Sequence, residues 1–232
     1  MAVRDRRIRV NPARDINLPR KTKKPRTYLT RDQVSALALA SGEHSTLVLV
    51  LSYTGLRWGE AIGLQVGDLN MLRRRIQVER NAVEVGTKIE IGTPKTGESR
   101  SVPFPAGLAT ALAWQCEGKT PTDLVFRRDD GSHLRRTRGG GSSRAWFARA
   151  IVASGLPPLT PHDLRHTAAS LAISSGANVL AVQRMLGHAS AKMTLDTYAD
   201  LFDDDLDHVA GRMDEGLRST IVGKMWAEEA AS

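Results

Sequence analysis

Tyr198 stands ten residues after His188, which closes the tripeptide Leu186-Gly187-His188. Before it comes Pro161-His162-Asp163-Leu164-Arg165-His166, and further upstream Thr54-Gly55-Leu56-Arg57-Trp58-Gly59-Glu60. His162 and Arg165 are three residues apart just past a helix start, so they share a face. Arg57 and His188 each follow a helix-ending glycine, and Lys95 stands on a hairpin tip. Cationic groups at the ends of elements are where a phosphate is held. A phenol with a pKa of ~10 is a poor nucleophile at neutral pH. To attack, Tyr198 needs a positive environment and a proton acceptor, and this set offers both.

Each residue alone has a plainer reading. A lone arginine or hairpin lysine is ordinarily solvated, and a tyrosine is ordinarily half-buried packing. His162 and His166 are four apart on one helix, a spacing able to hold zinc. However, no glutamate lies between them in the metalloprotease arrangement, and Cys116 has no second cysteine. No metal and no cofactor are expected, and His166 is expected to cap or pack nearby.

The elements that must position these groups are legible from local signals. Thr30-Arg31-Asp32-Gln33 is a capping box, predicting a helix to about Ala40. The apolar run from Thr46 to Tyr53 predicts a buried helix that Gly55 stops in a left-handed conformation. Alternation then predicts three short strands, 75–79, 88–91 and 100–104, with Thr96-Gly97 turning the last pair. Helix resumes near Ala106–Glu117, and Ser143 is expected to cap another carrying Trp146, Phe147 and Ile151. Thr160-Pro161 places a cap residue before proline at the first helical position, predicting a helix to about Ser175. Asn178 caps the next helix and Gly187 ends it. Leu206, Val209, Ala210, Met213 and Leu217 recur at helical spacing, so the tail is an amphipathic helix. The class is α+β, mostly helical, with a small three-stranded antiparallel sheet.

The formal net charge of +8 points to a polyanionic partner. Residues 1–31 carry eleven Lys/Arg against Asp5 and Asp15, whereas residues 200–232 carry nine acids against Arg212, Arg218 and Lys224. Residues 1–27 therefore read as a basic linker or arm, with Lys21, Lys23 and Lys24 as candidate DNA contacts. Arg135, Arg136 and Arg138 lie on a basic, glycine-rich loop and are candidates of the same kind. The single cysteine excludes an internal disulfide and fits a reducing cytoplasm. No run approaches the ~20 apolar residues that span a bilayer, so no membrane partner is expected.

Together, the His-x-x-Arg, Leu-Gly-His and tyrosine elements make residues ~28 to ~200 resemble the catalytic domain of the tyrosine recombinases, the phage-integrase family. Arg57 matches the family's first arginine, Glu60 the nearby acid and Lys95 the hairpin lysine, although Lys88 is close by. His162 and Arg165 match the His-x-x-Arg pair, His188 the later histidine and Tyr198 the nucleophile. The resemblance implies site-specific breaking and rejoining of double-stranded DNA through a covalent 3′-phosphotyrosine, with a free 5′ hydroxyl. The linkage conserves the bond energy, so religation needs neither ATP nor metal. In these roles Arg57 and Arg165 clamp the non-bridging oxygens in bidentate fashion. His188 donates to the same oxygens, His162 serves as general base and Lys95 as general acid. Glu60 orients its basic neighbours.

The resemblance also implies an assembly: a monomer when free, a homo-tetramer on DNA, and an accessory DNA-bending protein as a possible further partner. The segment after the tyrosine, 201–232, would pack either on a neighbouring subunit, head to tail, or back on its own domain. The family usually places a separate helical DNA-binding domain before the catalytic one, where this chain has only 1–27. Weak, salt-sensitive DNA binding is therefore expected of the chain alone, because affinity follows the number of phosphate contacts. Two rival functions share parts of the pattern. A type IB topoisomerase-like strand passer uses the same nucleophile. A non-catalytic regulator would read residues 161–186 as a helix-turn-helix around Gly176, but Val179-Leu180-Ala181-Val182 is mostly core-like and Tyr198 is left unexplained.

Overall fold

The computed structural model describes residues 3, 5–10, 26–93, 99–135, 145–202 and 205–218. Helix α1 (Arg31–Ala40) begins at the expected capping box. The Thr30 hydroxyl accepts from the Gln33 amide at 3.2 Å, and the Gln33 side chain accepts from the Thr30 amide at 2.9 Å. Helix α2 (Ser45–Thr54) is apolar on most sides because it is central: Leu47, Val48, Val50 and Leu51 are all buried. It packs along α6 (Pro161–Ile173) and against α1. Gly55 ends it at φ 66°, and a Cβ there would lie 2.6 Å from Leu186 Cδ2. The backbone conformation and the close approach of another helix both require glycine at this point.

The short helix α3 (Trp58–Ile62) leads into the strands. The three-stranded antiparallel sheet consists of β1 (Leu69–Asn70), β2 (Arg75–Val78) and β5 (Arg100–Pro103), in the order β1-β2-β5. A separate two-stranded ribbon pairs β3 (Asn81–Val85) with β4 (Lys88–Gly92). This corrects the expected pairing of 88–91 with 100–104 across Thr96-Gly97. Strand β5 pairs with β2 instead, bringing the buried Val102 opposite the buried Ile76. Strand β4 is largely exposed and has no comparable apolar face to offer, and it turns back on β3 through Gly86 at φ 61°. Residues 94–98, the expected tip, lie outside the described residues.

Helix α4 (Ala109–Cys116) follows a 3-10 turn, and α5 (Trp146–Ala153) starts from Ala145; the expected cap Ser143 is outside the described residues. Helix α6 carries its capping box, with Asp163 accepting from the Thr160 amide at 2.7 Å. In α7 (Val179–Leu186), Asn178 caps the Ala181 amide at 2.9 Å and Gly187 ends the helix at φ 64°. Helix α8 (Ala191–Tyr198), which local signals did not predict, is capped by Ser190. The tail helix is α9 (Asp205–Leu217), with Val209, Met213 and Leu217 exposed. Most apolar side chains form one core around α1, α2 and the three-stranded sheet. A second, smaller cluster of Ala169, Ile173, Val182, Leu186 and Tyr198 joins α6, α7 and α8. Among the described residues no helix is long and apolar enough to cross a membrane.

Candidate active site

Four helix ends meet at one place: the C-terminus of α2, the start of α3, the C-terminus of α7 and the end of α8. Arg57 sits just before α3, where its amide and guanidinium both donate to Glu60, at 2.8 Å each. Glu60 is 1% exposed. Arg100, from the start of β5, forks onto the same carboxylate at 2.9 and 2.7 Å. Four donors thus saturate the two carboxylate oxygens. Burial alone would push the Glu60 carboxyl up, but the hydrogen bonds and charge of Arg100, with those of Arg57, outweigh it and hold the carboxyl low.

Arg165 is 3% exposed and is anchored differently. Its guanidinium donates to the carbonyl of Gly55 and, at 2.6 Å, to that of Leu186. These are the terminal carbonyls of α2 and α7, the negative ends of two helix dipoles, and they favour a cation. No carboxylate pairs with Arg165 among the described residues. Burial first, and then the nearby Arg57 charge, bring its pKa down to about 10, so it stays charged at neutral pH. Arg57 also reaches the next carbonyl, that of Gly187, at 3.5 Å. The two guanidiniums therefore rest on consecutive carbonyls of the turn that delivers His188.

That turn is held by a backbone bond from the His188 amide to the Gln183 carbonyl at 3.1 Å. His188 Nδ1 lies 3.0 Å from the hydroxyl of the fully buried Thr194. This contact occupies one ring nitrogen and leaves Nε2 for another partner. Burial, then Arg165 and Arg57, lower the imidazole to about 4, so it is neutral at physiological pH.

Tyr198 is 2% exposed, its ring parallel to that of His188 with centroids 6.4 Å apart. Its hydroxyl lies 2.8 Å from His166 Nδ1. The His162 ring meets His166 edge-on at 4.9 Å and is itself exposed. Burial pushes the Tyr198 phenol up to about 12, only partly opposed by Arg165. Burial, then the neighbouring His162, pushes His166 down to about 4. Arg26 covers the tyrosine ring at 6.0 Å and anchors to the Thr197 carbonyl at 2.6 Å.

The structure thus gathers Arg57, Glu60, Arg165, His188 and Tyr198, with His162 at the margin beside His166. Lys95, Lys21, Lys23, Lys24, Arg136 and Arg138 lie outside the described residues. Arg135 is exposed and bound within the chain to the β3–β4 ribbon, to Glu84 at 3.0 Å and the Thr87 carbonyl at 2.7 Å. Sequence reasoning did not single out Arg100, Thr194 or Arg26. It read His166 as a packing residue, although the i, i+4 relation to His162 was visible. Among the described residues, no group of three His, Cys, Asp or Glu side chains is arranged to hold a metal.

This architecture has known counterparts. The ICEBs1 integrase of Bacillus subtilis (strain 168) is 26% identical over 227 residues, covering 93% of this chain and 62% of the relative. The tyrosine recombinase XerC of Bifidobacterium longum (strain DJO10A) is 32% identical over 171 residues, covering 69% of this chain and 44% of the relative. The chain therefore spans between two-fifths and two-thirds of the length of these relatives. Among solved structures, the Tn1549 transposon integrase in complex with transposon right end DNA superposes with a TM-score of 0.71 at 26% identity. That match covers 90% of this chain and 74% of the other. The model of the phage integrase family matches residues 27–204, which include Arg57, Glu60, Arg165, His166, His188 and Tyr198, and the chain belongs to that family.

Proposed function

We propose that this chain is the catalytic part of a site-specific DNA recombinase, an integrase that cleaves and rejoins strands through a phosphotyrosine. One observation carries the reading: two arginines on consecutive carbonyls of one turn, one lacking a carboxylate partner, beside a neutral histidine and a buried tyrosine. An anionic phosphodiester is the ligand that such a group of residues fits. Tyr198 attacks phosphorus, Arg57 and Arg165 hold the non-bridging oxygens, and His188 donates from its free nitrogen. Attack builds charge on those oxygens, and donors fixed in advance inside a water-poor site are worth most there. Lys95 protonates the departing 5′ oxygen, and a histidine of α6 takes the phenolic proton. Glu60, with all four of its acceptor positions filled, orients Arg57.

Duplex DNA is the proposed substrate, consistent with the basic composition and with the DNA-bound Tn1549 relative. We place the catalytic domain at 28–200, a basic arm at 1–27 and a regulatory tail at 201–232, acting in the cytoplasm on DNA. Assembly is proposed as a homo-tetramer on DNA, with the exposed Val209, Met213 and Leu217 of α9 as the face offered to a neighbouring protomer. Nothing in the site favours a topoisomerase over a recombinase. A pure reader is disfavoured because α7 spends Val182 and Leu186 on packing and the Leu186 carbonyl on Arg165.

Covalent trapping tests the reading. Nicked cognate attachment DNA, whose cleavage sheds a short fragment so that religation fails, should yield a protein–DNA band on a denaturing gel. Tyr198→Phe should abolish the band. A band that persists in the Phe variant would remove Tyr198 from the role of nucleophile. If the wild-type chain binds the DNA yet gives no band, the catalytic reading of this chain fails.

A further inference from the structure

The phenolic proton of Tyr198 has to go somewhere, and the surroundings narrow the choice. The hydroxyl is buried with the side chain, so bulk water is no ready acceptor. His188 lies parallel to the phenol ring at 6.4 Å, and its Nδ1 is engaged by Thr194. His162 approaches the tyrosine through the edge of His166. Among the described residues, His166 Nδ1 lies within hydrogen-bond distance of the phenol, at 2.8 Å.

We propose that His166 is a catalytic residue, accepting the Tyr198 proton as the tyrosine oxygen bonds to phosphorus and returning it when the strand is rejoined. The inference rests on the recombinase reading above. In the forward step the phenolic O–H bond breaks and the proton moves to His166 Nδ1. The oxygen–phosphorus bond forms and the bond to the 5′ oxygen breaks. The departing oxygen takes a proton from a cationic side chain, which the reading above assigns to Lys95. In the reverse step the 5′ hydroxyl returns its proton to the side chain assigned to Lys95 as its oxygen bonds to phosphorus, and the displaced phenol oxygen recovers its proton from the His166 imidazolium. His162, exposed and in edge contact, offers the path by which that charge is shared with solvent.

Transfer before attack is strongly uphill, since the phenol stands at about 12 and the imidazole at about 4. Once the oxygen bonds to phosphorus its basicity collapses, and proton loss must accompany bond formation, as general-base catalysis requires. The charged and titratable groups facing His166 are His162, Asp163 and Arg165 on its own helix, Arg26 from the segment before α1, Tyr198 from α8 and His188 from the turn after α7. An incoming phosphate adds negative charge to this set and raises the affinity of His166 for the proton.

The test is single-turnover cleavage of the nicked DNA across pH, using the full chain. His166→Asn keeps an acceptor oxygen near the Nδ1 position but cannot take up the proton. Cleavage should fall about 100-fold or more, with DNA binding and melting temperature kept. The wild type should lose rate toward acid pH, and in the variant that loss should flatten. His166→Ala should recover part of its rate in added imidazole. Wild-type cleavage that His166→Asn matches would overturn the proposal while leaving the recombinase reading intact. So would a slower variant with an unchanged pH profile and no imidazole rescue, which would make His166 a packing residue only. A wild-type chain that binds but never cleaves would overturn both.

Discussion

The partly buried Arg100 and the buried Arg165 both bond carbonyls at the end of α7, and they are neutralised in different ways. Arg100 forks onto Glu60, a carboxylate whose acceptors are all occupied. Arg165 is held by two helix-end carbonyls, which carry partial charge only. The first arrangement pairs Arg100 with a full carboxylate charge, which it shares with Arg57, and acts as scaffold. The second keeps most of a positive charge inside the protein, where the low local dielectric makes it effective toward an incoming anion. The same residue type is structural in one place and, in the proposed function, binds substrate in the other because of its partner.

Three experiments sharpen or break this contrast. The largest effect is expected for Arg165→Lys. An ammonium cannot bridge both carbonyls and offer a bidentate face as well. Cleavage should fall roughly 100- to 1000-fold, with a much smaller change in the urea midpoint. If unfolding shifts as strongly as activity, Arg165 belongs with Arg100 as scaffold. Arg100→Met should show the reverse balance. It leaves the buried Glu60 with Arg57 alone, at a cost of about 3 kcal/mol in stability, measurable by equilibrium urea unfolding. A stable variant that has lost activity would refute the assignment of Arg100 to the scaffold.

The smallest effect concerns pH. His166 and His188 drop from the ordinary 6.5 to about 4 in the folded chain. Between those values the unfolded chain takes up protons that the folded one refuses, so stability is complete above 6.5 and declines as pH falls toward 4. Glu60 has a depressed pKa, so its contribution is present above its unfolded value of 4.5 and is lost only on further acidification. The melting temperature should therefore fall in two stages. His188→Gln should flatten the upper stage and Glu60→Gln the lower. A single acid transition, unchanged in both variants, would contradict the placement of these groups.

Features carried by adjacent residues were legible in the sequence. The Thr30–Gln33 capping box, the Gly55 and Gly187 stops and the Thr160-Pro161 start all appear where local chemistry puts them. Strand partners were less legible. In β3 only Ala82 is buried, so its alternation is weak, and β1 is two residues long. Helix α8 escaped notice because it buries only Thr194 and Tyr198 along a polar segment. The site divides in the same way. Arg57, Arg165, His188 and Tyr198 stood out by spacing, whereas the contacts of Arg100 with Glu60 and of His166 with Tyr198 bridge 40 and 32 residues. No periodicity encodes such distances, which arise only when the helices pack.

The successive peptide units Leu186–Gly187 and Gly187–His188 present one carbonyl to Arg165 and the next to Arg57. In a machinist's terms, both jaws of the proposed phosphate clamp are seated against a single datum. The other side of the Arg165 fork rests on Gly55 at the end of α2, and that of Arg57 on Glu60 of α3. The gap between the two carbonyl seats is set by the length of one residue, which thermal breathing of the helices does not alter. Gly187 leaves no side chain at that datum, and a Cβ there would strike the Arg100 side chain at 2.9 Å. Covalent geometry thereby sets the spacing of these two seats, while Gly55 and Glu60 tie the clamp to the packing of α2 and α3.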